Sequence, residues 1–185
     1  MEKTNDKKNT GHRSPSFGRP KPEFDQKILD IRRVTRVVAG GRRFSFSVVL
    51  VAGDKKGAVG LGLGKAGDTS LAINKALRNA KKNMIKLKLT KTMSIPHEIS
   101  ASFSSSSVAI SPNKGRGLVV GSVIRDIAKL AGIKDITGKI VSVSKNKLNN
   151  AKAVMEALSQ ISTKYSKQPI ETVVVAGKEE VIKAE

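Results

Sequence analysis

Cysteine and tryptophan are absent from this 185-residue sequence, and aromatic residues make up only 3% of it. Without cysteine there is no disulfide, no thiol nucleophile and no thiolate metal site. Acidic residues are scarce, because 15 Asp and Glu stand against 35 Lys and Arg, and the formal net charge is +20. No apolar run approaches the ~18 residues of a membrane-spanning helix, and no apolar signal-peptide core is present. The composition predicts a cytoplasmic protein that uses no membrane and binds a polyanion.

Two polar ends flank the hydrophobic part of the chain. Residues 1–23 are basic and rich in Gly and Pro, which predicts a disordered tail. Residues 165–185 contain four Glu against three Lys, which indicates a C-terminal appendix that does not belong to the basic surface. Between them we expect an N-terminal domain over 24–92 and a C-terminal α/β domain over 93–164, joined by a linker around Pro96. The predicted fold class is α+β.

The N-terminal domain is predicted to be a three-stranded antiparallel sheet with one helix. Phe24–Val38 mixes apolar residues with arginines and leads into a turn at 39–41. Strict alternation through Phe44 and Phe46 then predicts a half-buried strand with both rings on its core face. A turn with lysines at its tip leads to the third strand, where every second residue is glycine. A helix follows, with an apolar stripe that runs to Leu87.

The C-terminal domain is predicted to combine short strands with two helices. Strands are expected at 99–103, 108–111 and 136–144. The first helix is expected to carry Val119 on its apolar side and to end at Gly132, the usual residue of a left-handed C-terminal cap. The last helix is expected to begin at Asn149 or Asn150, either of which can cap it.

The sequence shows no catalytic constellation. Residues 62–67 formally match the dinucleotide-binding pattern GxGxxG, but that site needs an acid about 20 positions later, and the next acid after Asp68 is Glu98. The two histidines, His12 and His97, have no patterned carboxylate partner. We therefore expect no enzyme, no catalytic residue, no cofactor, no metal site and no small-molecule substrate.

Basic residues favour a folded RNA as the partner. From Thr69 to His97 there are seven Lys and Arg and no acid. The bare glycine face and the basic hairpin tips suggest a platform for a polyanion, and Arg42 and Arg43 could clamp a phosphate beside Gly40 and Gly41. The scarcity of aromatics argues against base stacking and for phosphate contacts and shape readout. A solvated basic face and an ordinary hairpin turn remain the alternatives.

Four segments, taken together, resemble one known family. They are GGRRFSF (40–46), GDKKGAVGLGLGKA (53–66), KALRNAKKNMI (75–85) and KGRGLVVGSVIRDIAKLAGIKDITGK (114–139). In order and spacing they are similar to bacterial-type small-subunit ribosomal protein five. The resemblance implies a first domain like double-stranded-RNA-binding domains and a second with a left-handed βαβ crossover. It also implies a non-catalytic ribosomal protein that binds small-subunit rRNA near the decoding region and the path by which mRNA enters, with roles in subunit assembly and translational accuracy.

The basic pattern and the resemblance together nominate site residues. The candidate rRNA-binding residues are Arg36, Gly40, Gly41, Arg42, Arg43, Lys55, Lys56, Lys65, Lys114 and Arg116. The resemblance directs Gly117 and Arg125 toward ribosomal protein four, and it makes ribosomal protein eight a second neighbour. The sequence departs from the family pattern at Ala39, where lysine is usual, at Gly67, where arginine is usual, and in the loop 142–149.

Two other functions stay open at this point. A free-standing RNA-binding regulator or chaperone would bind isolated duplex RNA tightly outside a ribosome. A nucleotide-using enzyme would bind nucleotide at residues 60–67. The two-domain order of motifs favours the ribosomal protein over both.

Overall fold

The computed structural model describes residues 23–165, with side chains through 161, and it confirms the α+β class. Residues 1–22 and 166–185 hold nearly all of the two predicted tails and lie outside the described residues. The elements are β1 (Asp25–Val38), β2 (Gly41–Gly53), β3 (Ala58–Ala66), α1 (Thr69–Lys82), β4 (Met84–Lys86), β5 (Ile99–Phe103), β6 (Ser106–Pro112), β7 (Leu118–Val120), α2 (Ser122–Ala131), β8 (Ile136–Ile140) and α3 (Lys147–Tyr165). They form two four-stranded sheets, ordered β1-β2-β3-β4 and β5-β6-β8-β7.

The first sheet contains the three predicted antiparallel strands and a short fourth strand. The prediction that the helix continues to Leu87 is wrong, because α1 ends at Lys82. Asn83 caps it through its backbone N–H, which donates to carbonyls of the last turn. The chain then turns into β4, where Ile85 pairs with Val59 of β3. Residues that continued the helical stripe in the sequence therefore extend the sheet instead.

Glycines of β3 let α1 lie directly on the sheet. A Cβ atom on Gly60, Gly62 or Gly64 would come within 2.0–2.2 Å of a carbonyl oxygen of α1. The small residues Ala72, Ala76 and Ala80 face these glycines, and all three alanines are fully buried. The bare strand face is thus covered by a helix backbone and offers no surface to a polyanion. The first two glycines of the GxGxxG match, Gly62 and Gly64, therefore serve packing.

The second sheet lies under α2 and α3. β7 and β8 are parallel and joined through α2, so they form the expected βαβ crossover, and its left hand remains a prediction. Gly132 adopts the predicted left-handed conformation after α2, with φ 83°. Val119, which was predicted on the apolar side of the first helix, lies in β7 instead and is exposed. The strand predicted over 136–144 ends at Ile140.

The start of α3 corrects another prediction. Neither Asn149 nor Asn150 caps the helix. Asn146 does, because its side-chain oxygen accepts from the N–H of Leu148 at 3.2 Å and its carbonyl accepts from the N–H of Asn150 at 3.0 Å. Asn150 is buried, and its amide donates to the carbonyl of Ser144 at 3.1 Å.

The two sheets with their helices, which we call the N-terminal and the C-terminal unit, share a hydrophobic cluster. It contains Val51 and Val59 from the N-terminal unit and Ile127 from the C-terminal unit. The predicted linker contributes to this core as well, because Ile95 is 2% exposed and the Ser94 hydroxyl donates to a backbone carbonyl at 2.6 Å. The domain boundary at 92–93 stays a prediction, because the hydrophobic cluster contains residues from both sides of it.

Candidate nucleic-acid interface

The far half of the β1–β2 hairpin extends beyond the rest of its sheet. β3 pairs with β2 only from Phe46 to Gly53. Residues 33–45, which we call the ribbon, are therefore a two-stranded projection that ends in a two-residue turn at Ala39 and Gly40. Among residues 23–165, a Cβ atom on Gly40 or Gly41 would meet nothing within 4 Å, so the tip projects away from this part of the chain. Gly41 has φ 119°, which suits glycine at this turn.

The ribbon carries four arginines and no acid. Arg36 and Arg43 are direct cross-strand partners, so their side chains lie on the same face of the ribbon. Both are exposed, as is Arg42. Like charges directly opposite each other destabilise a sheet. An exposed pair of this kind is suited to an anion that neutralises both arginines at once.

The other face of the ribbon carries apolar and aromatic groups. Val37 is 74% exposed and Phe44 is 46% exposed. The guanidinium carbon of Arg33 lies 3.6 Å from the centre of the Phe44 ring, which is a close cation–π contact. Phe46 packs against the buried cluster that Val48 and Leu50 form with the alanines of α1, which we call the α1 cluster. The prediction that both rings face the core is therefore correct for Phe46 and wrong for Phe44. Arg33 and Phe44 are thus site candidates that the sequence analysis missed.

Lys55 and Lys56 do not lie near the ribbon. They follow the opposite end of β2, and the 13 residues of that strand span about 40 Å. Their turn docks on the end of α2, where the N–H of Lys55 donates to the carbonyl of Leu130 at 2.9 Å. The Lys55 ammonium pairs with Asp25. Both lysine side chains are exposed, but the turn itself is part of the seam between the two units.

Lys65 belongs to another basic surface, on α1 and the end of β3. It pairs with Ser47 in the sheet, and its carbonyl accepts from the Lys75 ammonium at 3.4 Å. Lys75, Arg78 and Lys82 are exposed along the helix. Lys86, which a helix continuing to Leu87 would have included, lies in β4.

Lys114 and Arg116 are exposed on the loop between β6 and β7. Gly117 at its end has φ 71°, and its N–H donates to the Asp135 carboxylate at 3.0 Å, which fixes the loop to the start of β8. Arg125 projects from the first turns of α2, and its guanidinium donates to a β7 carbonyl at 3.2 Å. Gly117 and Arg125 therefore flank opposite ends of β7.

Two alternatives to this distributed basic surface, a metal site and a membrane-spanning helix, find no support among the described residues. Within 23–165, no three acidic or histidine side chains form a group that could hold a metal ion. No helix in the same part of the chain is long and apolar enough to cross a membrane.

Comparisons with known proteins agree with the fold. The ribosomal protein S5 N-terminal domain matches residues 24–88, and the S5 C-terminal domain matches residues 101–168. This chain belongs to the ribosomal protein S5 family. S5 proteins are structural and not enzymes, so membership confirms the expected absence of catalysis.

Individual relatives extend the match over most of the chain. Small ribosomal subunit protein uS5 of Mycoplasmopsis agalactiae is 42% identical over 163 residues, which cover 88% of this chain and 70% of the relative. The uS5 protein of Thermus thermophilus is 44% identical over 146 residues, or 78% of this chain and 89% of the relative. The uS5c protein of Gracilaria tenuistipitata is 42% identical over 141 residues, which cover 76% of this chain and 81% of the relative.

Proposed function

We propose that this S5-family protein is a structural component of the small ribosomal subunit that binds its rRNA chiefly through the ribbon. The opposed pair Arg36 and Arg43 carries this proposal. Two exposed guanidiniums that face each other without an acid cost folding free energy in the isolated protein. A phosphate between them would turn repulsion into two charge-assisted hydrogen bonds, with the bidentate geometry that arginine favours.

The other basic groups would extend this contact along the RNA. Lys114 and Arg116 stand on a loop fixed by Asp135, and Lys65 stands beside the basic face of α1. Lys55 and Lys56 lie about 40 Å from the ribbon tip. Groups this far apart suit a large folded RNA, because they could touch separate helices of it.

The finer placement rests on the resemblance of the ribbon and loop segments to the family pattern. We place the ribbon near the decoding region of the rRNA, in the cytoplasmic ribosome, close to the path by which mRNA enters. Gly117 and Arg125 would face ribosomal protein four, with ribosomal protein eight as a second neighbour of the C-terminal unit. In this position the protein would support subunit assembly and translational accuracy.

The test is a sucrose-gradient profile of tagged full-length protein from cells, compared with the double variant Arg42→Glu with Arg43→Glu. We expect the wild type to sediment with the small subunit through moderate salt and the variant to shift toward the top. In vitro, the slope of log affinity against log salt should fall by roughly two, because about two phosphate contacts are lost. Subunit assembly or accuracy should be impaired, while the melting temperature stays close to that of the wild type.

Lys134→Glu with Lys139→Glu is the matched control, since it makes the same change in charge at exposed positions of the C-terminal unit. It should keep most of the small-subunit association. Equal losses in both double variants would mean that net charge, not the ribbon, drives binding. Wild-type protein that stays at the top of the gradient and binds RNA only in vitro would contradict the ribosomal role and favour a free-standing RNA binder.

A further inference from the structure

Arg33 and Phe44 form an exposed cation–π pair on the face of the ribbon opposite Arg36 and Arg43. Arg33 belongs to β1 and Phe44 to β2, and their positions are diagonal in the register on one face of the ribbon. The guanidinium lies 3.6 Å from the ring centre, and the phenylalanine keeps 46% of its surface exposed. A planar cation on a planar ring presents an extended layer to which a third planar group can be added.

A large exposed aromatic group at this place needs an explanation beyond folding. The α1 cluster takes up Phe46, and Phe44 lies one pleat farther out, past the reach of that helix. Val37 on the same face is exposed as well. Apolar area left in water gains nothing for stability, whereas an unpaired RNA base gains from stacking on aromatic rings or on arginine guanidiniums.

Arg42 supplies a positive charge for the phosphate that is attached to such a base. It lies two residues from Phe44 along β2, and so on the same face at a distance of roughly 7 Å. The other arginine pair, Arg36 and Arg43, lies on the opposite face. Because the ribbon is positive throughout, charge complementarity favours a nucleotide over an apolar peptide as the group that lies on this face.

We propose that Arg33 and Phe44 form a stacking platform for one unpaired RNA base, with Arg42 on the phosphate of that nucleotide. Arg36 and Arg43 would hold the backbone of a second RNA segment on the reverse face. The platform rests on the proposed RNA-binding function, and it adds a contact that depends on a base and not only on phosphate charge.

The experiment uses the full-length protein and two probes, a short oligoadenylate and an abasic oligomer with the same number of phosphates. The ratio of the two affinities isolates the base contribution, because the phosphate contribution cancels. The wild type should prefer the base-containing probe by about tenfold, a typical value for one stacked base. Phe44→Leu and Arg33→Lys should bring the ratio close to one, since each removes a planar group and keeps the charge.

Two further variants control for general effects. Phe44→Tyr keeps the ring and should keep the preference. Arg36→Lys makes the same chemical change as Arg33→Lys on the opposite face; it should weaken the binding of both probes alike and leave the ratio of their affinities unchanged. The platform is wrong if the wild type binds both probes equally with a steep salt dependence, and in that case phosphate binding by the ribbon still stands. Failure to bind either probe would overturn the platform alone, because the proposed function is tested separately by sedimentation with the small subunit.

Discussion

The two halves of β2 belong to one strand but have opposite surroundings. In the near half, Val48 to Ala52 are all buried, with exposures of 0–6%. In the far half, Gly41 to Phe44 are all exposed. One strand therefore passes from the centre of the protein to its most exposed projection within about ten residues.

Packing on both faces explains the near half. Val48 and Leu50 face the helix α1, whereas Val49 and Val51 face the cluster shared with the C-terminal unit. Beyond Phe46 neither β3 nor a helix of the described residues covers the hairpin, so opposed arginines are tolerated there. Folding stability and RNA binding are thus located at opposite ends of one hairpin, and substitutions should be able to change either property alone.

Gly62→Ala is the strongest way to break the near half. The new Cβ would lie 2.0 Å from the Ala76 carbonyl oxygen, so α1 must move off the sheet. We expect a loss of at least about 3 kcal/mol in the free energy of unfolding, at the upper end for overpacked cores. Urea denaturation measures this loss as the shift of the unfolding midpoint multiplied by the slope m. Gly40→Ala is the control, because none of the described residues lies within 4 Å of its Cβ. Equal stability of the two variants would refute the close packing of α1 on the glycines of β3.

Arg36→Glu should separate stability from binding in the far half. It replaces two opposed arginines with an Arg43–Glu pair, so the free energy of unfolding should rise by about 0.2–1 kcal/mol. RNA affinity should fall about tenfold or more at low salt, because a phosphate contact becomes a repulsion. Arg42→Glu is the matched variant. Its cross-strand partner is Val37, so binding should fall without the gain in stability. Thermal melting and filter binding at several salt concentrations measure both quantities.

Local sequence patterns predicted most of the elements because their causes are local. Alternation through Phe44 and Phe46 predicted β2, and Gly132 ended α2 through a conformation that glycine adopts easily. Predictions failed where distant parts of the chain decide the outcome. Met84 continued the helical stripe but pairs with β3, and Phe44 continued the strand pattern beyond the end of its cover.

The candidate site was predictable in composition but not in arrangement. The arginines near the Gly40 turn stood out in the sequence, yet the opposition of Arg36 and Arg43 depends on the register of the hairpin. Had the turn been placed at two residues, Ala39 and Gly40, that register would have followed from counting. The docking of the Lys55 turn on α2 had no local signal, because it depends on how the two units pack together.

Lys27→Ala tests the seam at the near end of the hairpin and should have the smallest effect. The Lys27 ammonium contacts the Asp126 carboxylate of α2 at 2.5 Å, and the two side chains are 53% and 18% exposed. Solvent screens such a pair, so we expect a loss of at most about 1 kcal/mol. Asp126→Asn and the double variant complete a cycle that isolates the pair energy. In all three variants the two units should still unfold in one transition, because the shared cluster joins them. Two separate transitions in calorimetry would show that this ion pair, and not the cluster, joins the units.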